Sequence, residues 1–209
     1  MASTSNVIFG RSSSHFTRVT RVFAEELKVP YKIEVVRDLL STNPSDYGDN
    51  PALKVPVLKT GDATWFGALN ICRELSHQSR SGARVVWPED LATPLLANAQ
   101  ELIVHAMSAE VGLIMHKAAG GDARSNDQRK LVRGLLQALS WLDHHVEDAI
   151  NDLAPERDLS YLEVTLYCLL EHLEFREVAK TNDYPSLRSF ATAFGQRESA
   201  KKTTYRFDP

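Results

Sequence analysis

An α/β half followed by an all-helical half is the fold class this sequence predicts, and three observations predict it. Strand and helix signals alternate through about residue 80. Residues 77–90, HQSRSGARVVWPED, then break the pattern with Ser, Gly, Arg and Pro. Beyond that stretch only helical periodicity remains. The expected domains are therefore 1–80 and 90–209, joined by a linker.

Residues 6–9, NVIF, form a β-branched and aromatic run that ends at Gly10 and predicts a first strand. Polar residues 11–14 follow. Phe16, Val19, Val22, Phe23 and Leu27 then recur at helical spacing, and Pro30 closes that segment. Residues 31–36, YKIEVV, alternate as a strand. Residues 42–51 carry Asn, Pro, Asp and Gly, the composition of a loop or a broken short helix. Two short runs, 55–58 and 63–66, flank Lys59-Thr60-Gly61-Asp62 and predict a hairpin. Ala68, Ile71, Cys72 and Leu75 make one apolar helical stripe.

In the second half, Thr93 before Pro94 predicts an N-cap with Pro at the first helical position, and Gly120-Gly121 a stop. Ser125 with Gln128, and Ser160 with Glu163, are capping boxes. The second opens YLEVTLYCLL, apolar almost all round and so expected at the centre of a bundle. Shorter helices are expected at 173–179 and 185–194, and an irregular polar tail at 201–209.

Composition narrows the function classes. The 209 residues carry 24 Lys and Arg against 27 Asp and Glu, a net charge of −3 that provides no electrostatic footprint for nucleic acid or anionic lipid. The 43% hydrophobic content is enough for a core. No run approaches the ~18 apolar residues of a membrane span. The N-terminus lacks a basic, apolar leader, and the two cysteines, Cys72 and Cys168, cannot make a disulfide scaffold or a four-cysteine zinc site. A cytoplasmic protein that binds neither nucleic acid nor membrane is expected. The seven histidines form no HExxH and no cluster with metal spacing, so no metal is expected.

The ordered motifs resemble those of the glutathione S-transferase superfamily, in its bacterial, serine-type form. NPALKVPVL (50–58) resembles the family's loop and strand carrying the cis-proline. GDATWFGALNICREL (61–75) follows at the family's spacing. DLSYLEVTLY (158–167) resembles its capped central helix, and RESAKKT (197–203) its C-terminal ending. The resemblance spans nearly the whole chain. It implies a thioredoxin-like N-terminal domain and an all-helical C-terminal domain. It also implies glutathione as co-substrate, conjugation or reduction of small electrophiles, and a homodimer.

The implied chemistry is stabilisation of the glutathione thiolate, the nucleophilic form of a thiol. Phe9 stands where the Tyr type would carry its tyrosine, and no Cys precedes residue 72, so Ser14 is the implied thiol donor. Read by itself Ser14 is an ordinary N-cap, and Ser12 and Ser13 lie beside it. Val55-Pro56 is expected to be cis, with the Val55 backbone turned toward the cysteinyl part of the ligand. Gly67-Ala68 replaces the family's acidic residue and Ser or Thr, leaving backbone N–H groups to hold the γ-glutamyl end. His15, His105, Met107, Met115 and Tyr167 are the implied second-substrate residues. The missing acidic pair supports an alternative: a non-catalytic member of the same fold that carries a ligand or binds a protein.

Overall fold

The structure, a computed structural model, describes residues 6–61, 63–122 and 125–209; residues 1–5, 62, 123 and 124 lie outside these, and with them one residue, Asp62, of the expected hairpin connection. The chain divides into two compact units, Met1–Ala83 with Gly195–Pro209, and Arg84–Phe194. The first unit thus takes in the last fifteen residues, which the sequence reading places in the helical half.

The first unit holds β1 (Val7–Gly10), α1 (His15–Glu26), β2 (Lys32–Val35), β3 (Val57–Thr60), β4 (Ala63–Phe66) and α2 (Ala68–Gln78), with a 3-10 turn at Pro44–Tyr47. The strand order is β2-β1-β3-β4, β1 being parallel to β2 and antiparallel to β3. This is the predicted thioredoxin-like succession. The hairpin's first strand starts two residues later than expected, because Pro56 has no N–H to give the ladder. Ile8, Val19, Val22, Phe23, Val57, Leu58, Ile71, Cys72 and Leu75 make the fully buried core.

The tail adds α7 (Glu198–Lys202) to this unit, and α7 packs on α1. Arg18, on α1, is only 1% exposed. Its guanidinium donates to the Ala200 carbonyl at 3.2 Å and to Thr203 Oγ1 at 3.4 Å, and lies 4.3 Å from the Tyr205 ring centroid. A buried charge persists only when so satisfied. Arg197 and Ser199 add bonds to the Glu26 carboxylate. The expected irregular tail is therefore helical to Lys202, irregular only beyond it, and anchored.

The second unit holds α3 (Pro94–Ala118), α4 (Asn126–Asp152), α5 (Tyr161–Phe175) and α6 (Pro185–Phe194). Thr93, Ser125 and Ser160 cap the first three as predicted, each accepting a main-chain N–H. α5 is buried at nearly every position and packs on α3 and α6. The separate helix expected at 173–179 is absent. α5 ends at Phe175, where Glu177 adopts a positive φ of 54° and Val178 N–H reaches back to the Leu173 carbonyl, a left-handed stop. A two-residue parallel pair, β5 (Val85–Val86) with β6 (Leu159–Ser160), was not expected; two residues are too short to show a period. Among the described residues, no helix is long and apolar enough to cross a membrane.

Candidate functional site

Three chain segments meet at one end of the four-stranded sheet. β1 ends at Gly10 and leads through a tight turn into α1. A Cβ on Gly10 would stand 2.5 Å from Thr17 Oγ1, so only glycine lets strand and helix approach this closely. Val57 is paired with Phe9 and with Phe66. That register carries Val55-Pro56 past the end of the β1 ladder and sets it beside Gly67. The Gly67 N–H donates to the Pro56 carbonyl at 3.3 Å, joining the two predicted half-sites. α1 and α2 therefore both begin at this end of the sheet, and their N-terminal N–H groups favour anions there.

Ser14 is the N-cap of α1. Its Oγ accepts the Thr17 N–H at 3.3 Å, which leaves its own hydroxyl proton to be donated elsewhere. Ser12 and Ser13 are buried in the preceding turn. The Ser12 N–H donates to Asp208 Oδ2 at 2.7 Å.

The Val55-Pro56 peptide is cis. Pro56 is buried and Val55 is half-buried. Among the described residues, the Val55 N–H and carbonyl pair with no other main-chain group. Asn50, only 4% exposed, shapes the approach to them. Its side chain donates to the Lys54 carbonyl at 2.7 Å and accepts the Ala52 N–H at 3.0 Å. The sequence offers Asn50 only as part of the NPALKVPVL motif; its i+2 and i+4 bonds are those an Asx turn provides, and the Asn-Pro step is the signal that points to them.

Gly67 is the N-cap of α2, with φ 82° and ψ 144°, and makes no side-chain cap. Ala68 opens the helix and is buried. The α2 N-terminus thus presents main chain alone.

The residues implied for a second substrate are placed very differently. In the first unit His15 is 1% exposed, its ring edge-on to Phe16 at 4.6 Å. In the second unit Met107 is fully buried, and Tyr167 stacks on Phe194 at 4.7 Å. Met115 is half-buried. His105 is exposed and lies 3.4 Å from Glu101 on its own helix. His144 and His145 each donate Nδ1–H to the carbonyl four residues back. Sequence reading missed the buried Glu110–His172 pair, 2.8 Å apart across α3 and α5, because 62 residues separate its members.

Residues 13–78 match the family model for the glutathione S-transferase N-terminal domain. No curated protein matches in sequence. Among solved structures, a glutathione transferase family member from Pseudomonas fluorescens Pf-5 with bound glutathione has TM-score 0.75 at 19% identity, covering 97% of this chain and 100% of that one. A glutathione S-transferase from Methylobacillus flagellatus KT with GSH bound has TM-score 0.73 at 20% identity, with the same coverage. One from Methylobacterium radiotolerans JCM 2831, in complex with glutathione sulfonate, has TM-score 0.71 at 17% identity, covering 99% of this chain and 98% of that one. Residues 13–78 thus match the glutathione S-transferase N-terminal domain, and the chain as a whole has the fold of these glutathione S-transferase structures.

Proposed function

We propose that this chain binds glutathione and transfers it to, or uses it to reduce, small electrophiles. One observation carries the reading: two helix N-termini and the Val55 main chain, which pairs with no other main-chain group among the described residues, converge at one end of the first unit's sheet. Glutathione is a short peptide with two carboxylates and an ionisable thiol. An extended peptide pairs with an exposed backbone edge, and its anions suit helix N-termini. In this reading Ser14 donates its hydroxyl proton to the sulfur and stabilises the thiolate. Val55 and Pro56 hold the cysteinyl part. Gly67 and Ala68 hold the γ-glutamyl carboxylate through main-chain N–H groups. The glutathione named with two of the similar structures supports the ligand.

A second copy of the chain is part of the proposal. On α4, Val132 and Leu136 are exposed apolar residues flanked by Arg129 and Arg133, a face suited to a homodimer. We place the protein in the cytoplasm, consistent with Cys72 and Cys168 standing buried and outside any disulfide.

The uncapped α2 N-terminus favours a second reading, a protein that keeps the fold but carries a ligand without turning it over. Calorimetric titration with glutathione, followed by a conjugation assay with an aromatic halide, separates the two. Binding with turnover supports the enzyme. Binding without turnover across several electrophiles supports the carrier, and no binding overturns both forms of the glutathione reading.

A further inference from the structure

We infer that the C-terminal tail is a built-in competitor for the thiolate, holding its Asp208 carboxylate at the place where the sulfur anion must form. The inference rests on the glutathione reading above. All the residues involved belong to the first unit.

The delivery of Asp208 is over-determined. Thr203 is fully buried, bonded to Arg18 and to the Ser199 carbonyl. Tyr205 lies under the Arg18 guanidinium. Beyond Asp208, Arg37 donates to the Pro209 oxygen at 2.6 Å. Between these anchors Asp208 Oδ2 takes the Ser12 N–H at 2.7 Å, in the turn that leads from β1 into α1. That N–H lies two residues before the Ser14 cap, in the favourable field of the α1 N-terminus.

Ser12 carries a second, independent sign of a missing partner. Its side chain is 1% exposed, and its Oγ has no hydrogen-bond partner among the described residues. A buried hydroxyl left unpaired is costly. An N–H and a hydroxyl on one residue, beside a helix N-terminus, are the donors an anion such as a thiolate would take. Here an internal carboxylate has taken the first of them. A sulfur anion arriving at this turn meets a like charge and loses one donor. A neutral sulfur suffers little from either. The tail therefore tunes the site against the ionised form of the ligand, and anything that draws Asp208 away relieves it.

The test compares the full chain with Asp208→Ala and with Asp208→Asn, which keeps the acceptor and removes the charge. Each is titrated calorimetrically with glutathione, with glutathione sulfonate, which is anionic at sulfur, and with S-methylglutathione, which is neutral there. The expected result is binding of the sulfonate about tenfold tighter in both variants, with S-methylglutathione changed less than about twofold. Equal changes for the two ligands, or no change for either while glutathione binds the native chain, overturn the inference and leave the glutathione reading standing. Absence of binding by all three proteins overturns the glutathione reading and this inference with it. Should Asp208→Ala fail to fold, the Asp208→Asn comparison decides alone.

Discussion

Arg157 grips both carboxylate oxygens of Glu163, Nε to Oε2 and Nη2 to Oε1, each at 2.9 Å. The same guanidinium donates to the carbonyls of Ile150, Leu153 and Ala154, at and just beyond the end of α4. Glu163 also accepts from the Ser160 hydroxyl at 2.7 Å, so one ion pair ties the end of α4 to the start of α5. Hydrogen bonding to Glu163 raises the guanidinium pKa, against the opposite pull of burial. Arg157→Ala leaves a largely buried carboxylate without its countercharge and the Ile150 and Leu153 carbonyls without this donor. It should destabilise the protein by about 3 kcal/mol. Arg157→Lys, lacking the fork, should recover less than half of that. Urea unfolding followed by circular dichroism checks both, and a loss under ~1 kcal/mol for the alanine variant would contradict the argument.

Glu174 gives the helical unit a pH-dependent contact. Its Oε1 accepts from both the hydroxyl and the N–H of Thr181, each at 2.6 Å. Those bonds, led by the hydroxyl, hold the Glu174 pKa below the usual carboxylate range. A depressed folded pKa means the contribution is present above the unfolded value and is lost as pH falls through the folded one. The side chain is exposed, so the contribution is about 1 kcal/mol or less. Glu174→Gln should lower stability near neutrality and match the native chain once the pH lies below the folded pKa. Chemical denaturation at several pH values reads this directly; a constant difference between the two proteins at every pH would exclude it.

Ser14→Ala separates capping from chemistry. Removing the cap of α1 should cost ~1 kcal/mol of stability. A hydrogen bond to an ionised sulfur is worth roughly 1.5–3 kcal/mol, so turnover should fall by one to two orders of magnitude. A melting shift with unchanged turnover would assign Ser14 to capping alone and move the search to Ser12.

Gly67 and Ala68 allow an asymmetric repair. Gly67 holds φ 82°, where a side chain is strained even though space around it is open. Gly67→Glu should therefore cost about 1–3 kcal/mol of stability, whatever it adds to binding. Ala68 lies at the first position of α2, where a serine hydroxyl fits the helix and can reach a carboxylate. Ala68→Ser alone should tighten glutathione about tenfold at little cost in stability. Unchanged affinity on calorimetry would mean that the γ-glutamyl end is held elsewhere.

The order of elements was legible because periodicity and caps are local. Thr93, Ser125 and Ser160 each stand one residue before the helix they open. The end of α5 was not legible, since nothing in the residue type of Glu177 demands its left-handed backbone. The proposed site residues Ser14, Val55-Pro56 and Gly67-Ala68 come from the motif resemblance; the structure makes Val55-Pro56 cis and sets Ser14 and Gly67 at helix starts. Asp208 and Ser12 are 196 residues apart, and only the folded tail makes them neighbours. His15, Met107 and Tyr167 show the converse: their burial depends on what packs over them, which spacing along one helix does not encode.

Arg18 sets a timetable for the growing chain. Its partners Ala200 and Thr203 follow it by 182 and 185 residues, so they leave the ribosome after the whole helical unit has been made. Until then the Arg18 guanidinium lacks the tail bonds and the Tyr205 ring that hold it in the finished unit, and the face of α1 that α7 covers stands open, so the first unit cannot reach its final stability. The half of the protein that is synthesised first is thus the half that is finished last, and a fragment cut at the linker inherits that defect permanently.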